Sequence, residues 1–326
     1  MSAPYSGTQR WHRLLPAASV TALPGLLILL LAPAPAAAGA TASASAATTA
    51  GVTCTSTSHP AMAAALARDI AAAHRGRSST VAVWVDAPGA GVTCSFNGSA
   101  HFDSASVVKV TILEALLHKA LDQHRYLTDT EADWARVMIT RSDNNAASAL
   151  WAHVGRSSIQ HLLNVAGMRQ TILGPGGYWG LTQITAHDEV LALRLLFNPN
   201  SVLSRNSRAY ALGLMARVIS GQRWGVPAGA PRSVAVHVKN GWLPRATHGW
   251  RINSIGGFSW RGGWYTIVVL SQDNPTMSYG ITTVEAIARV THRDLNPTVK
   301  AVISPSAPNA TWESPDERLP ALPTIP

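Results

Sequence analysis

The chain has little cysteine, little charge and no long apolar run. Cys54 and Cys94 are its only cysteines, which excludes a disulfide-dense scaffold. No zinc-finger spacing is present, and no His/Cys/Asp/Glu group has metal-ligand spacing. No glycine-rich nucleotide loop occurs either. Neither a metal nor a cofactor is therefore expected. Charged residues make up 13% of the chain, and the basic ones form no run despite a net charge of +9. Without a basic stripe or an aromatic-basic motif, the excess charge reads as a solvated surface and not a nucleic-acid interface. The apolar stretch Gly25 to Ala32 is bounded by Pro24 and Pro33 and is too short for a membrane span. No internal repeat is visible.

What is present suits a globular exported protein. Hydrophobic residues account for 47% of 326 residues, and a folded part of roughly 250 residues buries about three quarters of its unfolded surface. Arg10, His12 and Arg13 precede the apolar stretch, and the small-residue run Pro33 to Ala40 follows it. That is the three-part layout of a secretory signal over 1–40, with cleavage near Ala36 to Ala40. No stable membrane insertion is expected afterwards, and the mature protein is expected to be a secreted monomer. In an oxidising compartment Cys54 and Cys94 read as one disulfide, contributing on the order of 4 kcal/mol in the chain-entropy model.

Along the chain, residues 41–58 read as a flexible lead-in and 297–326 as a proline-rich disordered tail. Between them, 59–296 forms one domain. A helix is predicted from His59 to His74, then a hairpin of strands, Thr80 to Asp86 and Val92 to Asn97. Helical patterns dominate to about Ile219, with Thr128 to Glu131 as a capping box and Thr185 to Asp188 as a second cap. Strands resume at Ser233 to Asn240, Trp250 to Trp260 and Trp264 to Gln272, before a helix from Tyr279 to His292. The expected fold class is α/β (α+β). A mostly antiparallel sheet comes from both chain ends, 59–100 and 232–296, with an all-helical lobe, 101–231, inserted.

The stretch Phe102-Asp103-Ser104-Ala105-Ser106-Val107-Val108-Lys109 opens a helical run. Ser106 and Lys109 are three apart, on one helix face. An amine in a partly desolvated pocket can take the hydroxyl proton, and free N–H groups at the helix start favour developing negative charge. Ser142-Asp143-Asn144 begins another helix, where an N-cap is the plain reading. Lys239-Asn240-Gly241 ends a strand.

In this order and placement the three segments resemble the penicillin-recognising serine enzymes, most closely class A β-lactamases. The resemblance covers about His59 to Asp294 and implies a β-lactamase/transpeptidase-like fold. It implies that Ser106 is acylated, Lys109 is its base, and Ser142 passes a proton to the leaving nitrogen. Asn144 would hold Lys109 and the substrate amide, and Lys239 would supply positive potential. Gly241 and Trp242 would border the oxyanion hole, built from the N–H groups of Ser106 and Trp242. Asn240 and Arg251 would meet a substrate carboxylate. The partner implied is a small β-lactam or a peptidoglycan-like acyl compound.

Departures from that pattern matter. The stretch matching the Ω-loop, Gly167 to Thr185, contains no Glu or Asp, so the acid that activates the deacylating water is missing. Asp188 and Glu189 follow, in a helix's first turn. Asn240 replaces a hydroxyl residue, and Trp242 stands where a small residue is common. Slow deacylation is expected. A D,D-peptidase or a non-catalytic cell-wall or ligand-binding module is the alternative.

Overall fold

The computed structural model describes residues 44–260 and 262–305. The expected signal segment and the tail from 306 lie outside the described residues. The first described element corrects the expected lead-in. Strands β1 (Ser45–Thr49) and β2 (Val52–Ser56) form an antiparallel hairpin. Ala50 and Gly51 between them have φ of 46° and 82°, a turn whose twist matches that of paired strands. Val52, Cys54 and Ser56 face inward. Pairing of β2 with the strand that carries Cys94 holds this edge, which local composition does not announce.

Helix α1 (Pro60–His74) leads to β3 (Thr80–Ala87) and β4 (Val92–Phe96). A short β5 (Phe102–Asp103) precedes a 3-10 turn, Ala105–Val108, which runs into α2 (Lys109–Asp122). Then come α3 (Asp129–Thr140), α4 (Asn144–Val154) and α5 (Arg156–Val165). A loop reaches β6 (Gln183–Ile184), α6 (Ala186–Phe197) and α7 (Arg205–Ala216). The chain returns through β7 (Ala235–Pro244), β8 (Trp250–Trp260), β9 (Gly263–Asn274) and α8 (Met277–Leu295).

The seven-stranded sheet has the order β1-β2-β4-β3-β9-β8-β7, antiparallel throughout. Both chain ends supply it, and the helical lobe sits between β4 and β7. Helices α1 and α8 pack on each other and on the sheet. The central strands read as unbroken apolar runs because they are covered on both faces. Ile267, Val268, Val269 and Leu270 are all fully buried. Cys54 and Cys94 lie directly opposite in the β2–β4 register and form the expected disulfide.

Two expected caps hold. Thr128 and Glu131 make the reciprocal capping box of α3, and Thr185 accepts from the Asp188 N–H. The expected disordered tail is corrected over its first part. Gly229 N donates to Ile303 O at 3.0 Å, and Ile303 N donates to Ala230 O at 2.8 Å. Backbone pairing, available to any sequence, orders residues whose proline content argued otherwise.

Candidate active site

Ser106 lies in the 3-10 turn and not in an α-helical first turn. In a 3-10 turn side chains at i and i+3 eclipse, so the spacing to Lys109 is better aligned than α geometry would make it. Ala105, immediately before, has φ of 46°, a costly conformation for a residue with a Cβ. The surroundings enforce it. Asn253 Nδ2 on β8 donates to Asp103 O at 2.9 Å and to Ser104 O at 3.2 Å. Ser104 N donates to Thr182 O at 2.8 Å, and β5 pairs with β6. The turn is thus clamped between the sheet and the loop before α6.

Three segments converge here. Lys109 Nζ donates to Ser142 O at 2.6 Å, Ser142 Oγ at 3.1 Å and Asn144 Oδ1 at 2.6 Å. Lys239 Nζ donates to the same Ser142 Oγ at 2.9 Å and to Asn240 O at 2.7 Å. Ser106, Lys109 and Lys239 are fully buried. Ser142 has φ of 57°, so like Ala105 it is a non-glycine residue in the left-handed region. The plain N-cap role falls to Asp143, whose carboxylate accepts from Ala146 N at 2.7 Å. That division of labour leaves the Ser142 hydroxyl to the two amines.

Gly241 brings β7 against the Ser106 turn. A Cβ there would lie 2.8 Å from Ser104 O, 2.8 Å from Ser106 N and 2.9 Å from Val107 N. Next to it, the Trp242 ring is buried edge-on against Trp224, with centroids 5.9 Å apart. It packs into the body of the domain. Trp179, from the loop before α6, places its ring centroid 4.8 Å from Lys109 Nζ.

The sequence pattern of the β-lactamase enzyme family matches residues 130–295, just over half of the chain. The chain belongs to that family. The matched stretch includes Ser142, Asn144 and Lys239, while Ser106 and Lys109 precede it. No curated protein sequence matches. Among solved structures, a β-lactamase from Sphaerobacter thermophilus is 22% identical, with TM-score 0.62, covering 72% of this chain and 98% of its own. A class A β-lactamase from Bacteroides cellulosilyticus is 18% identical, with TM-score 0.62 and 72% and 98% coverage. The extended-spectrum β-lactamase TLA-3 is 17% identical, with TM-score 0.63 and 71% and 98% coverage. At these identities the likeness establishes a shared fold.

The geometry gives two residues expected to meet a substrate carboxylate partners within this β-lactamase family member itself. Asn240 is one of them. Its Nδ2 donates to the carbonyls of Gln222 and Trp224, each at 2.9 Å, in a fully enclosed site. Arg251 already faces a carboxylate of the protein itself. Its Nε lies 3.0 Å from Asp103 Oδ2, and the side chain is buried. Desolvation lowers the Arg251 pKa, and the charge of Asp103 opposes that shift.

Asp103 is the site residue that motif reading passed over. It accepts from Gln183 Nε2 at 2.5 Å, and Arg245 Nη1 lies 3.9 Å from its other oxygen. This acid therefore ties two arginines of the sheet lobe and one glutamine of the loop to the segment carrying Ser106. Its position three residues ahead of the serine was the available signal.

The acids after the loop are both buried. Asp188 Oδ2 accepts from Gln170 N and Thr171 Oγ1, both at 2.8 Å, closing the loop's base. Glu189 is fully buried with no hydrogen-bond partner for either oxygen among the described residues, and Glu114 on α2 is in the same condition. Burial pushes the Glu189 carboxyl up to about 8, from the usual 4.5, with Asp188 adding to the shift. Burial, with Glu189 nearby, drives Glu114 well up too.

A stability prediction follows from the sign of that shift. Between 4.5 and about 8 the folded chain keeps the Glu189 proton that the unfolded chain releases. Stability from this group is complete below 4.5 and declines as pH rises towards 8. Glu189→Gln, which cannot ionise, is expected to flatten that decline and to gain up to a few kcal/mol over the parent at alkaline pH. Urea unfolding at about pH 5 and about pH 9 checks it. Identical pH slopes for parent and variant would refute the assignment.

Proposed function

We propose that the protein is an exported serine hydrolase that forms an acyl-enzyme at Ser106 with β-lactam or related amide and ester substrates, and releases it slowly. The observation that carries this reading is the Ser142 hydroxyl, held by Lys109 Nζ at 3.1 Å and Lys239 Nζ at 2.9 Å. A hydroxyl has two lone pairs and one proton. With both amines donating, the proton is directed at a third group, such as the nitrogen that leaves when a lactam opens. Lys109, eclipsed with Ser106 in the 3-10 turn, is the base for the nucleophile once it has lost one of the protons it donates to Ser142 O, Ser142 Oγ and Asn144 Oδ1. The Ser106 N–H, with β7 pressed against it at Gly241, is one oxyanion donor, and the Trp242 N–H is the other.

Slow release rests on chemistry that is missing from the loop. Gly167 to Thr185 contains no carboxylate. Asp188 is engaged by the loop base, and Glu189 is protonated at neutral pH and sealed from water. Gln183 cannot accept a proton, and its amide is on Asp103. Ser106 is fully buried. Export is supported by the signal-like leader and by the Cys54–Cys94 disulfide. No described helix is long and apolar enough to cross a membrane.

The deciding experiment is mass measurement of the intact mature protein after incubation with a fluorescent penicillin and, separately, an activated ester. A covalent adduct that persists for minutes and is lost in Ser106→Ala is expected. The absence of an adduct with every acyl donor would favour a binding module on the same fold. Rapid hydrolysis of a chromogenic cephalosporin would refute slow deacylation.

A further inference from the structure

Farther along α2, well away from Ser106, three ligand-type side chains meet without any role in the chemistry above. His118 and Asp122 are one helical turn apart on α2, and His161 comes from α5. One donor atom from each lies within 4.8 Å of the others. The two imidazoles are nearly parallel, with centroids 5.4 Å apart and an interplanar angle of 16°.

The state of His118 sets this group apart from an ordinary surface cluster. The residue is only 8% exposed. Its Nδ1 lies 2.9 Å from Val202 O. A carbonyl only accepts, so Nδ1 carries the proton and donates. Nε2 is the nitrogen left over, and it has no hydrogen-bond partner among the described residues. Leaving such a buried polar atom unmatched is costly. An imidazole anchored through Nδ1–H to a backbone carbonyl, with Nε2 left facing a neighbouring carboxylate, is the arrangement that metal-binding histidines adopt. Asp122 Oδ2 stands 3.5 Å from that Nε2.

We propose that His118, Asp122 and His161 bind a divalent transition-metal ion of the zinc type, clipping the C-terminal end of α2 to α5. Two imidazoles and a carboxylate suit zinc, and nickel or copper by the same donor preference, whereas magnesium and calcium prefer oxygen alone. With metal–ligand bonds of about 2.0–2.1 Å, a tetrahedral ion brings its ligand atoms to about 3.3 Å from one another. Asp122 and His161 are exposed, so side-chain rotation can close that gap while buried His118 stays fixed. Water completes the fourth position. The sequence pattern concealed the group, because its third member sits on another helix far along the chain.

The test uses the full mature protein, stripped with a chelator and titrated calorimetrically with Zn²⁺ alone. One equivalent is expected to bind with micromolar or better affinity and to raise the thermal midpoint. Co²⁺ is expected to give the visible absorption of a low-coordinate nitrogen/oxygen site. Asp122→Asn and His161→Gln, both at exposed positions, are each expected to weaken binding about tenfold or more while leaving the midpoint in chelator unchanged. Absence of saturable binding would overturn the proposal. So would binding that survives the double variant unchanged, since it would place the ion among other histidines of the 12 in the chain.

Discussion

Replacing Lys109 by methionine is expected to slow acylation of Ser106 by about 10²- to 10⁴-fold, the range for loss of a positioned general base. Methionine has nearly the same length and no amine. The variant removes the donor that reaches Ser142 O, Ser142 Oγ and Asn144 Oδ1. These acceptors are mostly enclosed, so stability should also fall, by about 1–3 kcal/mol for unmatched buried groups. The two effects separate experimentally. Acylation is read as the second-order rate of adduct formation by mass, and stability by urea unfolding. A variant that is less stable yet acylates at the parent rate would show that Lys109 is a structural clamp and that another group takes the serine proton.

Gly241→Ala should be nearly as damaging, through shape alone. The added methyl would sit within 2.9 Å of three backbone atoms of the Ser104 to Val107 segment. Backbone cannot swing aside as a side chain does, so β7 must back away from the turn. That displaces Trp242 N–H relative to Ser106 N–H, and an oxyanion donor out of position costs about 10²–10³ in rate. Overpacking adds about 1–3 kcal/mol of instability. Gly213→Ala is the control, since nothing lies within 4 Å of a Cβ there; its acylation rate should match the parent. A Gly241→Ala protein that acylates normally would mean that β7 supplies no part of the oxyanion site.

Both predictions depend on residues recognisable as motifs, yet the motifs did not reveal how each part is used. Ser-Asp-Asn reads equally as an N-cap. The fold assigns the cap to Asp143 and frees Ser142, by placing Ser142 at φ of 57°. Asn240 sits inside a motif, but its side chain is committed to two carbonyls behind the strand. Arg251 has a fitting position on β8, but Asp103 holds it. In each case local spacing allowed two roles, and a partner from a distant segment chose between them.

Strand and helix identity, the sheet built from both chain ends, the disulfide partners and the order of the Ser106, Ser142 and Lys239 segments were all readable from the amino acids. Periodicity, β-branched runs and capping residues act over a few neighbours and so leave their mark on the linear chain. The β1–β2 edge, the ordering of 297–305, the clamp around Asp103 and the His118–Asp122–His161 cluster were not readable. They arise from pairings between residues far apart in sequence, whose energies depend on burial and on distances that only folding sets.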